Sequence, residues 1–233
     1  MGDEGQKVKA TTIVYLLGLL EYGQAYQLQR KLQRQRSIGT IADTLLILEH
    51  PPTITIGKSG KLENILVSKA ELARQRIALF FADRGGDVTY HSTGQLVGYP
   101  IFYLERREGG LHKYVHDLEE VLIRTLNDFG IKGSRDFTHA GVWIEGDEIA
   151  TIGINVQKWV SSHGFALNVN LELQPFSLIN PCGFSDRKAT SMSKVLSRPM
   201  SIDTVAKRLL VHFAEVFNTQ LELKNTADLR GHV

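Results

Sequence analysis

Four short stretches of this 233-residue chain hold side chains able to do chemistry. Cys182, the only cysteine, sits in "INPCGFSD" between Pro181 and Gly183. A free cysteine commonly packs as a small hydrophobe, yet the flanking proline and glycine indicate a turn, and loops carry reactive groups more often than cores do. A thiol in such a turn can serve as an acyl carrier, because a thioester splits one hard transfer into two easier ones. The second stretch, "RGGDVTYHSTGQLVGYP" at 84–100, has four glycines that let the backbone approach a ligand, with Arg84, Thr89, Tyr90, His91 and Gln95 as donors and acceptors. It reads as a binding loop too irregular for a plain strand; the alternative is a glycine-rich turn with its polar groups in water. Neither the Walker nor the dinucleotide-binding spacing is present.

The third stretch, "SSHGFALNVN" at 161–170, puts His163 and Gly164 at the start of a strand, with Ala166 small enough to leave room beside them. His163 is either a general base or a structural histidine satisfied by backbone. In the fourth, "HKYVH", His112 and His116 lie one helical turn apart. That is a zinc-compatible geometry, but no further ligand accompanies it, so a solvated helix face is expected and no metal.

The elements that must position these groups read as follows. "TTIVYLLGLLEYG" opens as a strand and passes into a helix over "QAYQLQRKLQRQR", with Ala25, Leu28 and Leu32 on one face and a wet face of Gln, Arg and Lys. "TLLILEH" and "TITIG" are strands parted by the Pro51–Pro52 turn. A short helix follows Ser68, then a strand in "IALFFADRGG", then "QLVGYPIFYL", where Pro100 suggests an edge or a bulge. Leu111, Val115, Leu118, Leu122, Leu126 and Phe129 predict a helix over 111–129, stopped by Gly130. Residues 141–170 are mostly β with a hairpin at Gly146, and a last helix spans 202–217 after Ser201. The expected architecture is one α/β (α+β) domain over 1–233, a mixed, mostly antiparallel sheet flanked by helices, with 1–10 as a flexible N-terminus.

Bulk properties narrow the function classes. A net charge of +2, from 27 basic and 25 acidic side chains, leaves no strong field for nucleic acid or anionic membrane, so neither is an expected partner. A single cysteine favours a reducing compartment, and the start "MGDEGQKVKATT" has no apolar signal-peptide core, so a cytoplasmic location is expected.

Taken together, the stretches "EHPPTITIGK", "RGGDVTYH" followed by "GQLVGYP", "GVW", "HGFALNV" and "NPCG" with Thr190 and Ser191 downstream resemble the octanoyl-acyl-carrier-protein:protein N-octanoyltransferases, the lipoyl/octanoyl transferases. The resemblance implies a fold like that of lipoate and biotin protein ligases. It also implies an acyltransferase that moves an octanoyl or lipoyl group from acyl carrier protein to a lysine, the first step of protein lipoylation. The acceptors would be lipoyl domains of 2-oxoacid dehydrogenase complexes and the glycine cleavage H protein, and no cofactor is needed. Cys182 matches the nucleophile. Arg84, Gly85, Gly86, Asp87, Val88, Thr89, Tyr90, His91, Thr151, Ile152, Gly153, Gly164, Phe165 and Ala166 match segments lining the acyl pocket.

One position departs from that pattern. The family carries a lysine just before its "IAxIG"-type segment; here "GDEIATIG" places Glu148 there. A unit charge ~4 Å from a thiol is worth about 4 kcal/mol at an effective dielectric of about 20, and the carboxylate reverses its sign. Either Glu148 is itself an acid/base group, or His91 or His163 activates Cys182 as a cysteine–histidine pair, or Lys58, Lys61 or Lys158 reaches in; histidine assistance is the expectation. Glu148 also feeds a second reading, a non-catalytic homologue that binds acyl groups or lipoyl domains.

Overall fold

A computed structural model of the protein describes residues 9–105, 107–180 and 188–232. The opening strand is β1 (Ala10–Leu19), followed by α1 (Tyr22–Ser37), β2 (Asp43–Glu49) and β3 (Thr53–Ile56). Then come α2 (Lys69–Arg74), β4 (Ala78–Phe81), β5 (Val88–His91), β6 (Gln95–Ile101) and α3 (Gly110–Asn127). The chain continues through β7 (Gly141–Ile144), β8 (Asp147–Gln157), β9 (Val160–Asn168), α4 (Met192–Leu196), α5 (Ile202–Val216) and β10 (Thr219–Lys224). Seven strands form one sheet in the order β10-β1-β2-β6-β9-β8-β7, and β4-β3-β5 form a second. The β1–β10, β1–β2 and β3–β4 pairs are parallel and the others antiparallel, giving the mixed, mostly antiparallel arrangement expected.

The large sheet is buried on both faces, and β2 shows how. Leu45 and Ile47 join the core beneath α3 and α5, while Leu46 and Leu48 face the core beneath α1, as the two-residue period of a strand requires. On α3, Leu118, Leu122 and Leu126 are fully buried and Gly130, with φ of 77°, turns the chain away. Leu111 stays exposed, and His112 and His116 lie on that helix's solvent side. Ser68 and Ser201 cap α2 and α5 as expected, each accepting from the backbone N–H three residues on.

Several expectations need correction. The segment 84–100 is not one irregular loop: β5 and β6 occupy most of it, so the loop proper is 82–87. His163 lies inside β9 rather than at its start, with a left-handed φ of 57°. Pro100 sits in a central strand, flanked by β2 and β9. It is tolerated because β6 stops pairing with β9 at Gly98, and the Pro100 carbonyl accepts from Ser161 Oγ at 2.7 Å instead. The polar face of α1 is not uniformly wet: Gln29 and Gln33 are buried against β9. Gln33 Nε2 donates to the Val160 carbonyl at 2.8 Å, and Gln29 Oε1 accepts the His163 N–H at 2.6 Å. Residues 1–8 of the expected flexible start lie outside the described residues, whereas Ala10 already pairs with Thr219.

Candidate active site

The small sheet places its β4–β5 connection, 82–87, against β8. Gly85 N–H donates to the Ile154 carbonyl at 2.8 Å, and this approach requires glycine opposite: a Cβ on Gly153 would stand 2.9 Å from the Gly85 carbonyl oxygen. Arg84, 8% exposed, pins the connection to β3. Its Nε and Nη2 donate to Thr55 Oγ1 at 3.1 and 2.8 Å, its Nη2 also to the Thr55 carbonyl at 2.8 Å, and its Nη1 to the Gly85 carbonyl at 2.9 Å.

Two chambers open along this seam. The outer, about 940 Å³, runs past Gly85–Thr89, Trp143, Glu148, Thr151, Ile152 and Phe176. The inner, about 20 Å³, is lined by Tyr22, His91, Tyr99, Gly153, His163 and Gly164–Ala166 among others, and shares Arg84, Thr89 and Thr151 with the outer. Of the residues matched to the acyl pocket, Tyr90 lines neither chamber, its ring packing edge-on against Phe176 at 5.5 Å, and Gln95 of the expected binding loop lines neither as well.

Cys182 lies outside the described residues. The chain on either side of it is described: Ile179 and Asn180 before, Lys188 and Ala189 after, all lining the outer chamber. Glu148 lines the same chamber, and its backbone holds the downstream flank, donating from N–H to the Lys188 carbonyl at 2.8 Å and accepting at its carbonyl from Thr190 N–H at 2.9 Å. His91 and His163 line only the inner chamber. His163 pairs across the ladder with Ile154, six positions along β8 from Glu148 and therefore ~20 Å away. The structure thus groups Glu148 with the flanks of Cys182, and the two imidazoles with Arg84.

The imidazoles have defined roles. Gln95 Nε2 donates to the Tyr90 and Asn168 oxygens, so its Oε1 is the acceptor for His91 Nδ1–H at 2.8 Å, leaving His91 Nε2 toward Thr55 Oγ1 at 3.4 Å. Burial, helped by His50, holds His91 well below the usual imidazole range. Burial also lowers His163, against the opposing pull of Asp83. Its 2.7 Å contact with Asp83 Oδ1 is therefore a hydrogen bond from a neutral Nε2–H, which in turn keeps the Asp83 carboxyl below its ordinary range. His163 Nδ1 is buried with no hydrogen-bond partner among the described residues.

Sequence reasoning missed Asp83, Lys188 and Lys194. Nothing local marks Asp83, because the histidine it orients is 80 residues away. Of the lysines expected to reach in, Lys58 donates to Asn155 Oδ1 at 2.8 Å, and Lys58, Lys61 and Lys158 line neither chamber; Lys188 and Lys194 line the outer one. Among the described residues no group of three or more metal-ligating side chains converges, and no helix is long and apolar enough to cross a membrane.

Comparison with known proteins bears on the family and the fold. The lipoyl protein ligase A/B catalytic domain matches residues 21–214. An octanoyltransferase of Caldicellulosiruptor saccharolyticus is 45% identical over 93% of both chains. Among solved structures, a bipartite lipoate protein ligase of Thermoplasma acidophilum superposes with a TM-score of 0.74 at 16% identity, covering 96% of this chain and 91% of that one. Biotin protein ligase of Aquifex aeolicus, in complex with biotin and ATP, reaches 0.52 at 14% identity over 89% and 70%. These two likenesses are of fold.

Proposed function

Starting from a chain that belongs to the lipoyl protein ligase A/B catalytic-domain family, we propose that it is an octanoyltransferase working through a thioester on Cys182. The Cys182 thiolate attacks the thioester carbonyl of octanoyl-acyl carrier protein, a tetrahedral intermediate forms, and the carrier thiol leaves with a proton. The amine of a lipoyl-domain lysine then attacks the new thioester, an amide forms, and Cys182 departs as thiolate. Acceptors are lipoyl domains of 2-oxoacid dehydrogenase complexes and the glycine cleavage H protein, in the cytoplasm.

The observation that carries this reading is the outer chamber, with both flanks of the Cys182 segment in its wall and Arg84, Thr89 and Thr151 shared with the inner chamber. An extended octanoyl chain, with carbon–carbon bonds of ~1.5 Å, spans about 9 Å. Three residues of β8, from Glu148 to Thr151, span ~10 Å. The acyl chain accordingly runs from the outer rim to the mouth of the inner chamber, and His91 and His163 face its far end. Glu148 stays at the reacting end, where its carboxylate takes the proton the acceptor ammonium must lose. Lys188 and Lys194, in the same wall, supply positive charge beside it.

Glu148 favours one second reading, a binding protein without transferase activity. Offering octanoyl-acyl carrier protein and a lipoyl domain together, and mapping the lipoyl domain by mass spectrometry, separates the two. An octanoylated lysine is expected; an unmodified lipoyl domain across pH 6 to 9 would establish the binding-only reading.

A further inference from the structure

The inner chamber has the wrong chemistry for a purely hydrocarbon end. One side is apolar, from Val97, Phe165 and Ala166, but the rest is Arg84, His91, His163 and the hydroxyl-bearing Thr89, Thr151, Tyr22 and Tyr99. Its volume of about 20 Å³ exceeds the ~10–15 Å³ that one water-sized group occupies and does not hold two. His163, 2% exposed, forms part of the wall. Its Nε2–H is committed to Asp83 Oδ1, so Nδ1 carries a lone pair, and that lone pair meets no donor among the described residues. The ring cannot easily turn to satisfy it: the Asp83 carboxylate is itself held by Arg30 at 3.0 Å and Asn155 at 2.9 Å, and the His163 N–H is fixed on Gln29. An acceptor left bare in such a place is costly, and buried polar groups are ordinarily matched.

We propose that the inner chamber is a subsite for one hydroxyl-sized hydrogen-bond donor, held on His163 Nδ1 at the far end of the acyl chain. With a saturated octanoyl chain the donor is a water molecule, which forms the floor of the site and sets where the chain stops. A chain one atom longer displaces it, and does so without loss only if its last atom is itself a donor. Thr89 and Thr151, common to both chambers, mark the stop. The inference rests on the acyl-transfer reading above, and its length rule follows from the same β8 spacing.

The test is calorimetric binding of three free acids to the full chain: octanoate, nonanoate and 8-hydroxyoctanoate, the last two having equal length and differing in a methyl against a hydroxyl. We expect 8-hydroxyoctanoate to bind about tenfold more tightly than nonanoate, the size of one buried hydrogen bond. In His163→Phe, which keeps a ring and removes the acceptor, that preference should vanish. Ala166→Val, which fills the chamber from its apolar side, should weaken 8-hydroxyoctanoate most and so abolish its preference over nonanoate, and it serves if the histidine variant misfolds. Octanoate binding with no preference for the hydroxyl in the unmodified chain would overturn the subsite and leave the transferase reading standing. No binding of any of the three would overturn both.

Discussion

The two chambers meet at three residues and are built on opposite terms. In the inner one the cationic and imidazole groups are committed: Arg84 to Thr55 and Gly85, His91 to Gln95 and Thr55, His163 Nε2 to Asp83, with His50 behind them donating to the Leu20 carbonyl and accepting from Tyr99, both at 2.7 Å. In the outer one the polar groups stand on strand ends, short irregular segments and the helix α4, and Glu148, Lys188 and Lys194 are partly or largely in contact with solvent. A closely built, buried end that measures a ligand and a more exposed end that reacts is the division a transferase needs, since a large acyl donor and a large acceptor must reach the reacting atoms in turn while the tail stays seated.

The largest effects should separate the two ends by kind. Cys182→Ser should reduce octanoyl transfer by at least about a thousandfold while octanoate binding changes little. A loss of binding equal to the loss of transfer would tie the thiol to the inner end instead. At the rim, Glu148→Gln should split the half-reactions, slowing transfer to lysine by roughly 10²-fold, as expected for loss of a general base, with acylation unchanged or faster. Glu148→Lys should speed alkylation of Cys182 by iodoacetamide near neutral pH, because an ammonium favours the thiolate and a carboxylate opposes it. With one cysteine in the chain the alkylation rate reports that thiol alone; an unchanged rate would mean the 148 side chain does not reach the sulfur's field.

The inner end should announce itself through pH. Burial pushes His50 down to about 4 from an ordinary 6.5, and burial also lowers His91 and His163. Such groups bind protons more readily unfolded than folded, so their contribution is complete above about pH 6.5 and is lost as pH falls toward about 4, with His50 alone worth about 3 kcal/mol over that window. Urea midpoints measured from pH 7.5 to 4.5 should fall accordingly, and His50→Gln should flatten the fall. A midpoint insensitive to pH in that range would show that the cluster is wet. Smaller still, Gln33→Leu should cost about 1–2 kcal/mol by stripping a buried hydrogen bond from the Val160 carbonyl, with transfer activity retained at permissive temperature.

How much of this was legible in the sequence follows the same boundary. Elements whose signal is local were readable: the leucine stripe of α3 with its Gly130 stop, the serine caps of α2 and α5, the short β-rich run of β2. Most of the described residues that line the two chambers were readable too, because the glycines and histidines cluster in short stretches. What stayed hidden depends on partners distant in the chain. Gln29 and Gln33 look like a solvated face until β9 covers them; β10 shows only the short alternation of Leu221 and Leu223 and pairs with β1, more than two hundred residues earlier. Asp83 resembles any loop acid until His163 lies 2.7 Å away. Pro100 signals an edge because its missing N–H is a local fact, whereas the ending of one ladder beside it is not.

The central claim is that the acyl group rests covalently on Cys182 between donor and acceptor. Intact-protein mass spectrometry after brief mixing with octanoyl-acyl carrier protein, quenched in acid, measures it directly. The account predicts an octanoyl adduct that maps to Cys182, is released by hydroxylamine, disappears on adding a lipoyl domain, and never forms in Cys182→Ser. Octanoylated lipoyl domain produced with no adduct on the chain, and produced equally by Cys182→Ser, would contradict it.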